Sequence, residues 1–201
     1  MSLASDIPFT VDNLKFFATA ARDTHGSHAG EFMPGYTSMY RREPVGVIGQ
    51  ITPWNYPLAL CLLDVIPALI AGNAVVQKSD NQTTLTALLA REMAIKAGLN
   101  PKLWTIVAGD GAEVGNAVTD SVDYVAFTGS ANTGRLVGAR AAARLIPFSL
   151  ELGGKNPLIV LPSADLNKAA DILIGGAFGS AGQLCVSIER AYVPNELKQR
   201  F

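Results

Sequence analysis

The sequence predicts an α/β protein, a mostly parallel, doubly wound sheet with helices on both faces. Three observations predict it. Strand-like runs alternate with helical patterns along the chain, the connections between them are short, and glycine turns repeatedly join the end of a strand to the start of a helix. With 201 residues, 49% of them apolar, the chain can bury the core of one ordinary domain, or of one domain and part of another.

Residues 1–8 read as a frayed start. The first helix is expected over 11–22, where Val11, Leu14, Phe17, Ala18 and Ala21 recur at helical spacing, with Thr10 or Asp12 as its cap. Glycines and Pro34 mark 26–35 as loop, with His25 and His28 on the surface, and 36–42 reads as an edge strand or an arm. Residues 45–51 form a buried strand by their β-branched content. Pro53 and Pro57 then hold Trp54 and Asn55 in a tight loop. One helix is expected over 58–71, stopped by Gly72. Further strands are expected at 74–78, 104–107, 124–128, 148–150, 158–161 and 191–194. Further helices are expected at 83–97, 112–118, 135–145 and 166–178. The partners of the strand at 191–194 are expected to lie beyond Phe201.

Composition narrows the function. Sixteen basic and seventeen acidic residues leave a net charge of -1, with no basic stripe for nucleic acid. Two cysteines, Cys61 and Cys185, are too few for a disulfide scaffold and favour a reducing, cytoplasmic setting. The first residues lack the pattern of a secretory signal, and Asp64 and Pro67 interrupt the longest apolar run, so no membrane span is expected. No cluster has metal-ligand spacing.

In a doubly wound sheet, ligands collect beyond the carboxyl ends of the strands. Asn55, Lys78, Gly111 and Gly129 each follow a predicted strand. Gly109-Asp110-Gly111 and Gly129-Ser130-Ala131-Asn132-Thr133-Gly134 both open a helix, where backbone amides favour an anion. Neither matches the usual dinucleotide fingerprint, and alone each reads as an ordinary turn. Two in one sheet, with Lys78 after a third strand, point to a nucleotide. Cys185, Glu151 and Asn55 supply a nucleophile, a base and an amide donor, the minimum for chemistry at a carbonyl. Taken singly, each has a plainer reading: Cys185 as a small buried hydrophobe, Glu151 as a solvated turn carboxylate, Asn55 as a loop residue bonding its own backbone. Cys61, among leucines, is expected to be buried and inert.

Four segments together carry a resemblance: Pro53-Trp54-Asn55-Tyr56-Pro57, Phe127-Thr128-Gly129-Ser130, Glu151-Leu152-Gly153-Gly154-Lys155-Asn156-Pro157 and Gly182-Gln183-Leu184-Cys185. In this order and at these separations the chain resembles the aldehyde dehydrogenase superfamily from about Val11 to its end. The resemblance implies a Rossmann-like sheet of the aldehyde dehydrogenase type. Residues 1–150 would form most of the NAD(P)-binding domain, and 151–201 the beginning of the catalytic domain. It implies Cys185 as the nucleophile, Asn55 and the Cys185 N–H as the oxyanion hole, and Glu151 as the base that activates water. It implies Thr52, Trp54, Lys78, Gly111, Gly129, Ser130 and Gly134 as cofactor contacts. NAD-preferring members often carry a glutamate three residues after the matching lysine; here that position is Asn81, so NADP is expected to be accepted as well as NAD.

The segment after Gly182 is similar to bacterial succinate-semialdehyde dehydrogenases, whereas residues 11–38 look more like aminoaldehyde and betaine-aldehyde enzymes. Because residues beside the nucleophile line the substrate channel, succinate semialdehyde is the expected substrate. Family members are more than twice as long, so the chain is expected to be truncated at both ends and to show little or no turnover alone. The full-length form is expected to be a homo-oligomer. The competing expectation is a nucleotide-binding remnant without catalysis.

Overall fold

The computed structural model describes residues 5–23 and 29–201. His25 and His28 lie outside the described residues. The elements are α1 (Ile7–Ala20), β1 (Ala29–Met33), β2 (Tyr36–Met39), β3 (Val47–Ile51), α2 (Ala59–Leu62), α3 (Val65–Ile70), β4 (Ala74–Lys78), α4 (Thr84–Lys96), β5 (Trp104–Val107), α5 (Gly111–Ser121), β6 (Tyr124–Gly129), α6 (Ala131–Ala143), β7 (Phe148–Leu152), β8 (Asn156–Ile159), α7 (Leu166–Phe178) and β9 (Ile188–Tyr192). The chain divides into two compact units, one of residues 1–128 and 132–150, the other of residues 129–131 and 151–201.

The first unit is built on a sheet of order β5-β4-β3-β6-β7. β3 pairs in parallel with β4 on one side and β6 on the other, and β4 pairs in parallel with β5. After β5 the chain therefore crosses to the far side of β3, which makes the β3/β6 boundary the topological switch point. Val75, Ile48, Trp104 and Cys61 form the core together with Val65 from α3 and Ala87 and Ala90 from α4. β1 and β2 form a separate antiparallel hairpin with every β2 side chain exposed. The expected loop at 26–35 is thus partly strand, because 29–33 finds a partner in 36–39.

Three helices depart from expectation, α6 by opening at Ala131 rather than 135. α1 begins at Ile7 rather than 11, with Pro8 in its first turn, where a missing N–H costs no hydrogen bond. Thr10 and Asp12 lie inside it and do not cap it; the Thr10 hydroxyl donates back to the Asp6 carbonyl. The Asp6 carboxylate accepts from the Ala59 and Leu58 amides at 2.8 and 3.3 Å, which caps the start of α2 instead. The single helix expected over 58–71 is two, α2 and α3, broken near Asp64. Pro67 has no N–H to offer the Leu63 carbonyl, so the ladder cannot run through.

Two glutamines that the hydropathy pattern did not single out brace this break. Gln50 and Gln77 are directly paired across β3 and β4, and both are fully buried. The Gln50 amide donates to the Leu60 carbonyl at 3.2 Å and that of Gln77 to the Cys61 carbonyl at 3.0 Å. Helix carbonyls freed by the interruption are thereby satisfied from the sheet. The Gln77 carbonyl oxygen accepts in turn from the Trp104 indole at 3.0 Å and from the Cys61 thiol at 3.6 Å.

Cys61 is buried, as expected, and burial is the main force that pushes its thiol from the ordinary 9.0 up to about 11, against the opposing hydrogen bond to Gln77. The folded thiol holds its proton more tightly than the unfolded one. Its contribution to stability is therefore complete below pH 9.0 and is lost as pH rises toward about 11. Two pKa units correspond to about 2–3 kcal/mol. Urea unfolding between pH 8 and 11 is expected to show this loss, and Cys61→Ala is expected to flatten it.

The second unit holds a two-stranded parallel sheet, β8 with β9, and α7 beside it. β9 starts earlier than expected, at Ile188, and its partner lies within the chain, against the expectation that its partners would follow Phe201. β8 likewise begins at Asn156, two residues early. α7 approaches the sheet closely: a Cβ on Gly176 would stand 2.5 Å from Ile188 Cδ1. Asp165 caps α7 by accepting from the Asn167 and Lys168 amides at 3.0 and 3.2 Å.

Candidate functional site

In the first unit the candidate cofactor residues stand at the carboxyl ends of β3 and β4. Thr52 follows β3, and its N–H donates to the Lys78 carbonyl at 3.1 Å, extending the pairing of Ile51 with Lys78 by one residue. Lys78 closes β4 and is largely buried at 5% exposure. Beyond it the chain turns sharply. The Asp80 carboxylate accepts from the Gln82 amide at 2.9 Å, and the Asp80 carbonyl takes the Thr84 hydroxyl at 3.0 Å. Asp80 is therefore folded into its own turn, while Asn81 is exposed. Trp54 is exposed, and Asn55 is half-buried in the loop that β3 enters.

The turn into α5 behaves differently from a bare glycine loop. The Asp110 carboxylate accepts from the Ala112 and Glu113 amides at 2.8 and 3.1 Å. These bonds, foremost that from Glu113, hold the Asp110 carboxyl below its usual range, with the nearby Lys78 adding to the effect. Two of the amides that the glycine pattern offered to an anion are thus taken by the protein's own acid. Gly111 itself opens outward, with nothing within 4 Å of an added Cβ. Gly134 is buried in the first turn of α6. Gly129 ends β6, and Ser130 follows it, exposed.

The second unit carries Glu151 and Cys185. Glu151 sits in β7 and is exposed. Cys185 is also exposed, in contrast to Cys61. The chain reaches Cys185 through an unusual backbone: Ser180, Ala181 and Gly182 have φ of 56°, 57° and 73°. Glycine adopts this left-handed region freely, but for Ser180 and Ala181 it costs about 1–2 kcal/mol each. Such strain persists where the surroundings enforce it. Here α7 delivers the segment, and the turn after Cys185 fastens it. The Ser187 N–H donates to the Leu184 carbonyl at 3.1 Å. The Asn156 amide donates to the carbonyls of Cys185 at 2.7 Å and Ser187 at 3.0 Å. Arg190 adds two bonds to the Lys155 carbonyl, at 3.1 and 2.8 Å, and Lys155 pairs with Glu189.

Nothing in the sequence pattern marks Asn156, Arg190 and Glu189 as supports of the segment around Cys185. Asn156 stood inside a recognised segment, but nothing in its spacing from Cys185, 29 residues away, announced a contact. Among the described residues no group of three metal-ligating side chains occurs, and no helix is long and apolar enough to cross a membrane.

A doubly wound nucleotide-binding type of sheet, followed along the chain by a unit that presents a tethered, exposed thiol, defines a class of α/β protein with a candidate dinucleotide site and a candidate cysteine nucleophile. The chain belongs to the aldehyde dehydrogenase family, whose sequence model matches residues 1–201. It is 51% identical over 159 residues to a Mycobacterium tuberculosis protein provisionally named succinate-semialdehyde dehydrogenase (NADP+) 2, a match covering 79% of this chain and 31% of that protein. It is 40% identical over 195 residues to aldehyde dehydrogenase family 2 member C4 of Arabidopsis thaliana, covering 94% of this chain and 38% of that one. Among solved structures, the NAD+ complex of a Bacillus cereus aldehyde dehydrogenase superposes with a TM-score of 0.94 at 35% identity, covering 99% of this chain and 41% of that one. An NADP-dependent enzyme of E. coli superposes with a TM-score of 0.93 at 34% identity, covering 97% and 41%. The chain thus spans about 31% of the length of the mycobacterial relative.

Proposed function

We propose that this chain is the nucleotide-binding and nucleophile-bearing part of an NAD(P)-dependent aldehyde dehydrogenase that oxidises succinate semialdehyde to succinate. The observation that carries the reading is Cys185: an exposed thiol on a strained, fastened turn, in a chain matched to the family along its whole length. Residues 1–150 serve the cofactor, and 151–201 open the catalytic domain.

Lys78, Thr52, Trp54, Asn81, Gly111, Gly129, Ser130 and Gly134 would hold the dinucleotide. The open space at Gly111 and the place of Lys78 at a strand end fit such a group. With neutral Asn81 exposed and Asp80 folded back, no carboxylate at that turn is aimed outward to repel a 2′-phosphate, which favours acceptance of NADP+. The Cys185 thiolate attacks the aldehyde carbon and forms a C–S bond. The Cys185 N–H holds the resulting oxyanion. A bound nicotinamide would supply the hydride acceptor needed to take the Cys185 adduct to a thioester. Glu151 takes a proton from water, the water attacks the thioester carbon, the C–S bond breaks, and the acid leaves. The small-molecule aldehyde is the partner, and the complete protein works as a cytoplasmic homo-oligomer.

Calorimetric titration of the chain tests the cofactor half of this reading. NADP+ is expected to bind, and Lys78→Ala to weaken it by about tenfold or more, the loss of one charge-assisted contact. Binding of equal strength in the variant would remove Lys78 from the site. A second reading is a nucleotide-binding remnant that never turns over. It expects the same NADP+ binding but no dehydrogenation when this segment is placed in a complete enzyme.

A further inference from the structure

We propose that Asn156 is the positioning residue that aims the Cys185 thiol and its N–H, by locking the peptide planes on both sides of the cysteine. The inference rests on the reading of Cys185 as nucleophile, and it assigns a role to a side chain that reading does not use.

A trans peptide is planar, with its C=O and N–H pointing in opposite directions. Fixing the carbonyl of such a unit therefore fixes the N–H on its other side. The plane between Leu184 and Cys185 is held by the Ser187 N–H, which donates to the Leu184 carbonyl at 3.1 Å. That bond turns the Cys185 N–H the opposite way. The plane between Cys185 and Val186 is held by Asn156, whose amide donates to the Cys185 carbonyl at 2.7 Å. The same amide donates to the Ser187 carbonyl at 3.0 Å, so it clamps the turn that supplies the first bond as well. With both planes fixed, the Cα–Cβ direction of Cys185 is fixed too.

Asn156 is itself anchored. It opens β8 opposite Ile188, and the preceding carbonyl, that of Lys155, is gripped twice by Arg190. A short neutral amide suits this position. It offers two N–H donors from one nitrogen to two carbonyls. Aspartate has the same shape and no donor when ionised, so it would face both carbonyls with like partial charge. Because Asn156 lies five residues after Glu151, one short segment carries the proposed base and aims the proposed nucleophile.

The test compares two reactions of the same thiol in the 201-residue chain. With 4-nitrophenyl acetate the thiolate adds to a carbonyl, a C–S bond forms, the C–O bond breaks, and 4-nitrophenolate leaves. This passes through an oxyanion that an aimed N–H stabilises. Alkylation by iodoacetamide displaces iodide at a saturated carbon and passes through no oxyanion. Asn156→Asp and Asn156→Ala are expected to lower the acylation rate by about tenfold, part of the roughly 10²–10³-fold effect of a full oxyanion donor. Alkylation, compared at equal thiolate, is expected to stay within about twofold.

Equal loss in both reactions, or no change in their ratio, would mean that Asn156 only fills space. A wild-type chain that acylates no faster than glutathione at equal thiolate would also overturn the proposal. Asn156→Asp keeps the side-chain volume, and alkylation at one site per chain shows that Cys61 stays buried, so that the variant has not unfolded around it. Neither reaction involves a nicotinamide, so failure of the dehydrogenase reading would appear separately, as absent NADPH formation in a complete enzyme.

Discussion

Cys185→Ala is expected to remove essentially all thiol chemistry from this chain. The wild type is expected to take up one iodoacetamide label per molecule at neutral pH, and the variant none. The contrast comes from the two environments. Cys185 is exposed, whereas Cys61 is buried and its thiol is pushed up to about 11. Near neutrality, a rise of two pKa units lowers the thiolate fraction about 100-fold, before any steric protection is counted. The 4-nitrophenyl acetate reaction is expected to vanish with the same substitution. Mass spectrometry of the labelled chain checks both statements. A label on Cys61 in the folded protein would show that its burial is not what the structure describes.

Gln77→Leu is expected to cost about 2–4 kcal/mol, a large share of the stability of an ordinary domain. The glutamine serves three buried partners. Its amide satisfies the Cys61 carbonyl where α2 stops, and its oxygen accepts from the Trp104 indole and the Cys61 thiol. Leucine keeps the volume but leaves the indole N–H and the helix carbonyl without a partner in a place water cannot reach. Denaturant unfolding checks the magnitude. Gln77→Glu is expected to be destabilising as well, since an ionised glutamate keeps the acceptor but loses the donor and buries a charge. A loss below about 0.5 kcal/mol for leucine would mean that the break in α2 does not depend on this network.

Much of the fold was legible because parallel strands buried on both faces announce themselves as β-branched runs. β4, β5 and α7 fall where the pattern placed them, and β3 and β6 end within a residue or two of it. The departures have physical causes that a one-dimensional pattern cannot carry. α2 and α3 read as one helix because apolar spacing continues through Asp64, and only the supply of hydrogen bonds from Gln50 and Gln77 makes the break tolerable. The glycine and proline neighbours of β1 predict a loop, and its strand character comes from pairing with β2. The candidate side chains were legible as residue types in recognisable segments. Their support was not: Asn156 reaches 29 positions along the sequence, and the left-handed turn at Ser180 and Ala181 contains residues that give no hint of positive φ.

The central claim is that this segment supplies the cofactor site and the nucleophile of an aldehyde dehydrogenase. It is tested most directly by grafting the segment into the mycobacterial relative in place of the corresponding stretch, then following NADP+ reduction with succinate semialdehyde. The chimera is expected to form NADPH with this aldehyde, and Cys185→Ala within it to abolish the reaction. A folded chimera that binds NADP+ but forms no NADPH, or one whose rate survives Cys185→Ala, would contradict the account.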